Sequence, residues 1–397
     1  MILYILLFFV TLVILFFAYI RIKYRFWAMQ PVFHFYDIYY WFVDKGVIEE
    51  ELPEKNKYFN PQIKTIPYTD VNEEQLTSFL DVIHSHYIAN KEYKNNKFTP
   101  SKENVTSYFI GHNAPCYWTF YYEKLLQQNT SSTDIIENEK LISIMTGRPL
   151  HVEIFKSNIT MDVYYIDYLC VDQGYRKKGV APQMIQTHEY NQRHSNKNIL
   201  VSLFKREDDL TGIIPLCAYD SYGYGTQKWL PPQELSAEYV FLLCDQQNIH
   251  YLVDFIKSCK TGFDIFIMSD IGNLMELVKT QNIFVYMLMR DDTILAAYFF
   301  RKTCTYVTEG EEVLSCFGSL NKCPQEKVFI HAFKIAFYKI KEKYTEYQYL
   351  IVENISSNEK VIKNLNMKTP ALISKTAYFF YNFAYHTFDS DKTFICC

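Results

Sequence analysis

The chain opens on a run without a single charge, Met1 to Ile20, dominated by Leu, Ile, Phe and Val. About 20 apolar residues match the hydrocarbon thickness of a bilayer, so the run predicts a transmembrane helix. A cleaved leader carries a basic stretch before its apolar run and small residues at the cut, and neither is evident here. Arg21, Lys23 and Arg25 follow at once, which by the positive-inside tendency puts the body of the protein in the cytosol. Further on, Leu76, Phe79, Leu80 and Ile83 share one face of a helix over 73–91. Strands are predicted at 117–123, 141–145, 150–155, 161–171 and 199–204, with a polar surface loop at 127–139. The run at 161–171 is so uniformly apolar and aromatic that it reads as a central strand covered on both faces. After Pro231-Pro232 the pattern restarts, with strands at 238–244, 282–290, 294–301 and 311–317. A helix at 325–343, a strand at 347–353, a short helix at 357–365 and a strand at 376–384 complete it. This late strand–helix–strand order echoes the one over 161–204. The expected fold is α/β (α+β), with an anchor at 1–22 and two related halves at 23–230 and 231–397.

Composition narrows the class. With 397 residues, 49% hydrophobic and 17% aromatic, the chain has ample core for two domains and is not globally disordered. A formal charge of −4 supplies no basic excess for nucleic acid. The ten cysteines are scattered without a CxxC pair, as reduced thiols of a cytosolic domain are, and His84 and His86 are too isolated for zinc. No metal is expected.

The candidate chemistry lies in the centre. Ile166-Asp167-Tyr168-Leu169-Cys170-Val171 runs into Asp172-Gln173-Gly174-Tyr175-Arg176-Lys177-Lys178-Gly179-Val180-Ala181-Pro182, and a helix-like segment follows. A buried strand, a basic turn and a helix start in that order build a pyrophosphate cradle. Free N–H groups of the first helical turn point at the anion, the helix dipole favours its charge, and Arg and Lys add charge-assisted contacts. Gly179 and Ala181 keep the approach open.

The turn Gln173-x-x-Arg176-x-x-Gly179-x-Ala181 resembles the acyl-CoA-binding motif of the GNAT acyltransferase superfamily. More specifically, the chain resembles the glycylpeptide N-tetradecanoyltransferases, or N-myristoyltransferases. Phe26-Trp27-x-x-Gln30-Pro31-Val32 is similar to that family's FWxTQPV segment. Ile166-x-x-Leu169-Cys170-Val171 with Arg176-x-Lys178-x-x-Ala181-Pro182 is similar to its INFLCV…RSKRLAP core, and Tyr381-Asn382-Phe383 to its closing YLYNW.

The resemblance implies two fused GNAT-like halves, myristoyl-CoA or another acyl-CoA as co-substrate, and the N-terminal glycine of a protein as acceptor. It implies that Arg176, Lys177, Lys178, Gly179, Val180, Ala181 and Pro182 bind the CoA pyrophosphate. Tyr24, Arg25, Phe26 and Trp27 would line the CoA site, with Cys170 and Val171 continuing it; the Cys170 thiol itself, inside a buried strand, reads as inert. Tyr168 and Leu169 would polarise the thioester carbonyl through their backbone amides, each such donor being worth roughly 3 kcal/mol. The general base would be the terminal carboxylate of Cys397. The family's Asn before the Phe-Leu pair is Asp167 here, an added carboxylate that grips the amine, shares the base role, or is only a polar strand-edge residue. The family's acidic loop is replaced by Tyr87-Ile88-Ala89-Asn90-Lys91-Glu92-Tyr93-Lys94, which implies a different peptide preference.

The expected protein is therefore a monomeric, single-pass membrane enzyme. A GNAT-type acetyltransferase using short acyl-CoA and an inactive membrane scaffold of the same fold remain the alternatives.

Overall fold

The computed structural model describes residues 2–43, 45–87, 96–128, 135–207, 212–365 and 369–397; the replaced acidic loop at 88–94 lies outside them. A single helix spans Ile2–Lys23, with only Ile20 buried. It is long and apolar enough to cross a membrane, a test that an N-terminal signal sequence also meets. Phe16 and Phe17 near its end pack edge-on to Tyr36 at 6.4 and 6.0 Å.

The body is organised on a sheet of fifteen strands among the described residues. Ile159–Val171 sits between Ile135–Ile154, antiparallel, and Val201–Glu207, parallel. The helix Val180–Ser195 makes the crossover that a parallel pair requires. In the second half Glu311–Asn321 lies between antiparallel Thr293–Thr308 and parallel Tyr347–Glu353, with Glu326–Lys343 as the crossover helix. The late order thus repeats the early one. The two segments exchange strands at the seam. Leu372–Tyr381 lies beside Val201–Glu207, and Cys217–Gly225 lies between Leu372–Tyr381 and Tyr347–Glu353.

The helix Glu73–His86 ends five residues before the predicted limit. It starts on a capping box in which the Asn72 side chain accepts from the Gln75 amide and Gln75 answers. Its Phe79 packs on Trp118 at 4.2 Å, both fully buried. The strands expected at 141–145 and 150–155 are one strand, and the loop expected at 127–139 is narrower, because Tyr117–Gln128 and Ile135–Ile154 extend into it. Thr146-Gly147-Arg148-Pro149 looks like a break in the sequence, yet it continues the ladder, since buried polar partners await it. The Thr146 hydroxyl donates to the Asp167 carbonyl at 3.1 Å. Helices Ile249–Cys259 and Ile271–Lys279 and strands Cys217–Gly225, Ile265–Met268 and Thr393–Cys396 were not predicted.

Candidate active site

The site begins where two strands part. Thr146 pairs with Asp167 and Ile144 with Cys170, so the single Met145 opposes both Tyr168 and Leu169. That is a β-bulge, and Tyr168 takes φ +50 to make it, a conformation that costs a non-glycine residue about 1–2 kcal/mol. On the other side the parallel pairing with Val201–Glu207 ends at Ile166 and Phe204, one residue before Asp167. A cavity of about 890 Å³ opens in the gap.

One end of the cavity meets the basic turn. Asp172 anchors that turn: its Oδ1 accepts the Gly174 amide at 2.8 Å and its Oδ2 pairs with Lys140 at 2.7 Å. Burial pushes the Asp172 carboxyl up, but Lys140, the Gly174 amide and His86 outweigh it and hold the group below its ordinary range. Arg176 is tied by its Nε to the Val171 carbonyl at 3.1 Å and by its Nη2 to the His86 carbonyl. Lys177 takes φ +63 and Gly179 φ +80. Gly179 caps the helix Val180–Ser195 without a side chain, and a Cβ there would meet nothing within 4 Å. The first-turn amides of Val180 and Ala181 therefore have no capping side chain beside three exposed cations, the arrangement that receives an anion.

Of the residues singled out from sequence, Phe26, Trp27, Asp167, Tyr168, Leu169, Arg176, Ala181 and Pro182 line this one cavity. Lys177, Lys178 and Gly179 are exposed on the adjoining turn, and Val171 and Val180 are buried together beneath it. Cys170 turns into the core, its sulfur 3.9 Å from the Val82 carbonyl, and burial pushes its thiol up to about 12. Tyr24 and Arg25 do not line the cavity; Arg25 is exposed and the Tyr24 ring lies under the Lys23 ammonium.

Behind the bulge lies a buried layer of charge. Asp167 Oδ1 accepts the Tyr168 amide at 2.8 Å and the Tyr87 hydroxyl at 3.3 Å. Arg148 sits between the rings of Tyr108 and Tyr165, at 4.7 and 4.9 Å. Burial works against its charge, but Asp167 and Cys397 prevail and raise its pKa. The strand Thr393–Cys396, parallel to Ile265–Met268, carries the chain's end into the same layer. Arg301 Nη1 donates to the Cys397 main-chain oxygen at 3.2 Å, and its Nη2 pairs with Glu353 at 3.1 Å. Lys205 pairs with the other Glu353 oxygen at 3.3 Å. Burial alone would raise the Glu353 pKa; Lys205 and Arg301 lower it below the ordinary value. Cys397 is 3% exposed and does not line the cavity.

Arg148, Lys205, Arg301 and Glu353 were missed from sequence. Lys205, Arg301 and Glu353 are charges at the end of apolar strand runs, as in Phe299-Phe300-Arg301 and Leu350-Ile351-Val352-Glu353, whereas Arg148 sits in the polar stretch Thr146-Gly147-Arg148-Pro149. A buried charge must be paired, so such positions are themselves a signal.

Residues 47–217 match the family model described as the N-terminal domain of myristoyl-CoA:protein N-myristoyltransferase. The match covers 171 of the 397 residues. No curated sequence matches it. Two crystal structures of Saccharomyces cerevisiae N-myristoyltransferase with bound myristoyl-CoA share its fold. One is 14% identical with a TM-score of 0.71, covering 93% of this chain and 90% of the yeast chain. The other is 13% identical with a TM-score of 0.69, covering 92% and 94%. The N-myristoyltransferase fold thus runs through almost the whole chain, although the family model covers only its N-terminal part.

Proposed function

We propose that this protein transfers a long acyl chain from acyl-CoA to the N-terminal glycine amine of a protein. The observation that carries the reading is the convergence on one cavity of the bulge at Tyr168-Leu169, the parted strands and the anion-ready helix start. Arg176, Lys177, Lys178 and the first-turn amides hold the CoA phosphates. The thioester carbonyl sits at the bulge. When the amine nitrogen attacks its carbon, negative charge grows on the oxygen, and backbone N–H donors there stabilise it. The carbon–sulfur bond then breaks and CoA leaves as the thiol, taking up a proton.

The amine attacks only after losing a proton, since an α-ammonium has no lone pair and titrates near 8. Asp167 is the carboxylate beside the bulge, and we assign the proton to it. In this role Asp167 releases the Tyr168 amide as it turns to the incoming ammonium. One movement readies both nucleophile and oxyanion site.

Apolar walls from Met145, Ile166, Ile185, Phe204 and Trp27 continue past the bulge, which favours a long acyl chain over acetyl. Ile2–Lys23 acts as a single-pass anchor with the body in the cytosol. The enzyme works as a monomer, and the peptide lies between the halves at 23–230 and 231–397. The direct test is titration of protein lacking the first helix with myristoyl-CoA and acetyl-CoA, followed by mass spectrometry of glycine peptides. Preferential binding of the long chain and a mass gain at the N-terminal glycine are expected. Failure on both counts refutes the reading.

A further inference from the structure

The acyl compartment is not apolar throughout. Past Ile166 and Phe204 its lining includes Ser202, Tyr381, His188 and Glu189. Ser202 and Tyr381 are register partners on neighbouring strands. His188 and Glu189 come from the third turn of the crossover helix, about 12 Å along it from Ala181 at 1.5 Å per residue.

This polar floor is built in. Gly147 makes room for it: a Cβ there would lie 2.6 Å from Gln192 Oε1 and 3.1 Å from His188 Nε2. His188 is saturated, with the Thr119 hydroxyl on Nδ1 at 2.7 Å and Gln192 Oε1 on Nε2 at 3.0 Å. Glu189 is not. It accepts one long bond from the Ser202 hydroxyl at 3.3 Å and faces Arg193 at 3.8 Å. Next to it, the Tyr381 hydroxyl donates to Gln30 Oε1 at 2.6 Å, and Gln30 Nε2, fully buried, has no partner. Glu189 is 6% exposed and Gln30 5%.

A hydrocarbon end laid on this floor leaves an unspent carboxyl buried against methylenes, which is unfavourable. A carboxylate or ammonium on the chain is disfavoured as well, because Glu189 and Arg193 already balance each other. A neutral hydroxyl can donate to the unspent carboxyl without upsetting that balance.

We propose that the acyl donor of this protein is a hydroxyacyl-CoA, its hydroxyl on the outer half of the chain and received by Glu189 and its polar neighbours. The inference rests on the acyl-CoA reading above. The experiment is competitive binding of tetradecanoyl-CoA against isomers of hydroxytetradecanoyl-CoA with the hydroxyl moved along the outer half. At least one isomer should bind roughly tenfold tighter than the saturated chain, the gain expected of a well-made buried hydrogen bond. In Glu189→Leu that ratio should fall to about one. Glu189→Gln, which keeps the hydrogen bond and the shape, should hold it within about threefold. Because Glu189→Leu leaves Arg193 without its partner, the Gln variant and Ser202→Ala carry the test if the Leu variant does not fold. Ser202→Ala should then lower the ratio.

Saturated tetradecanoyl-CoA binding as well as every isomer overturns the inference while leaving acyl transfer intact. A preference for shorter saturated chains, with water filling the floor, overturns it likewise. Folded protein that binds no acyl-CoA overturns both.

Discussion

The Asp167 carboxylate accepts the backbone amide of Tyr168, the next residue in the chain, at 2.8 Å. The donor best placed for an oxyanion is therefore capped by the group best placed to take a proton. Asp167→Asn keeps an acceptor for that amide but removes the carboxylate proposed to take the proton. Single-turnover acyl transfer should fall by about a hundredfold or more, the usual worth of a positioned base. Acyl-CoA affinity should stay within about threefold, because the phosphate end is untouched.

Arg176 holds the turn to the Val171 and His86 carbonyls and lines the end of the cavity that meets the basic turn. Arg176→Ala should weaken acyl-CoA binding roughly tenfold to a hundredfold, as expected for a charge-assisted hydrogen bond. Free CoA should lose affinity by a similar factor, since the contact is with phosphate. Calorimetric titration of both ligands reads this directly.

His188 is pushed down by burial to about 4 from an ordinary 6.5. A base kept neutral in the fold contributes stability above 6.5 that is lost as pH falls towards 4, in total about 3 kcal/mol. Glu189, pushed up to about 7 by burial, works the other way, its contribution fading as pH rises from 4.5 to about 7. His188→Gln should therefore unfold at a lower pH in acid titration than the parent and leave the neutral-to-alkaline limb unchanged.

Much of this site was legible from residues alone because it is local. The strand, basic turn and helix start are contiguous from Ile166 to Pro182, and their chemistry follows from order. The bulge at Tyr168 needs Met145 across the ladder, and the capped amide needs the side-chain rotamer of Asp167. Those are register and conformation, which no local pattern carries. The polar stretch around Arg148 misled for the same reason. Its partners come from the Asp167 strand and the chain's last residue, both distant in sequence. Cys217–Gly225, rich in Tyr and Gly, shows no strand pattern in the sequence, yet it is a central strand whose polar side chains meet others across the seam, as Ser221 meets Thr376 at 3.1 Å.

The first helix should be separable. Of Ile2–Lys23 only Ile20 is buried, and the contacts of Phe16 and Phe17 with Tyr36 are edge-on and peripheral. Deleting residues 2–15 should leave the melting temperature within about 2 °C, as surface changes do. Flotation with lipid vesicles should be lost. Retained flotation would place the membrane contact elsewhere.

Trp27 stands only four residues beyond Lys23, where that helix ends, and its ring stacks on Phe204 in the cavity wall at 5.6 Å. Held at a bilayer by Ile2–Lys23, the enzyme would keep its donor pocket within a few residues' reach of the headgroups. Acyl-CoA dissolves into lipid surfaces by its tail, so a donor would be collected by diffusion in two dimensions, and a freshly acylated product would be delivered where its new tail can insert.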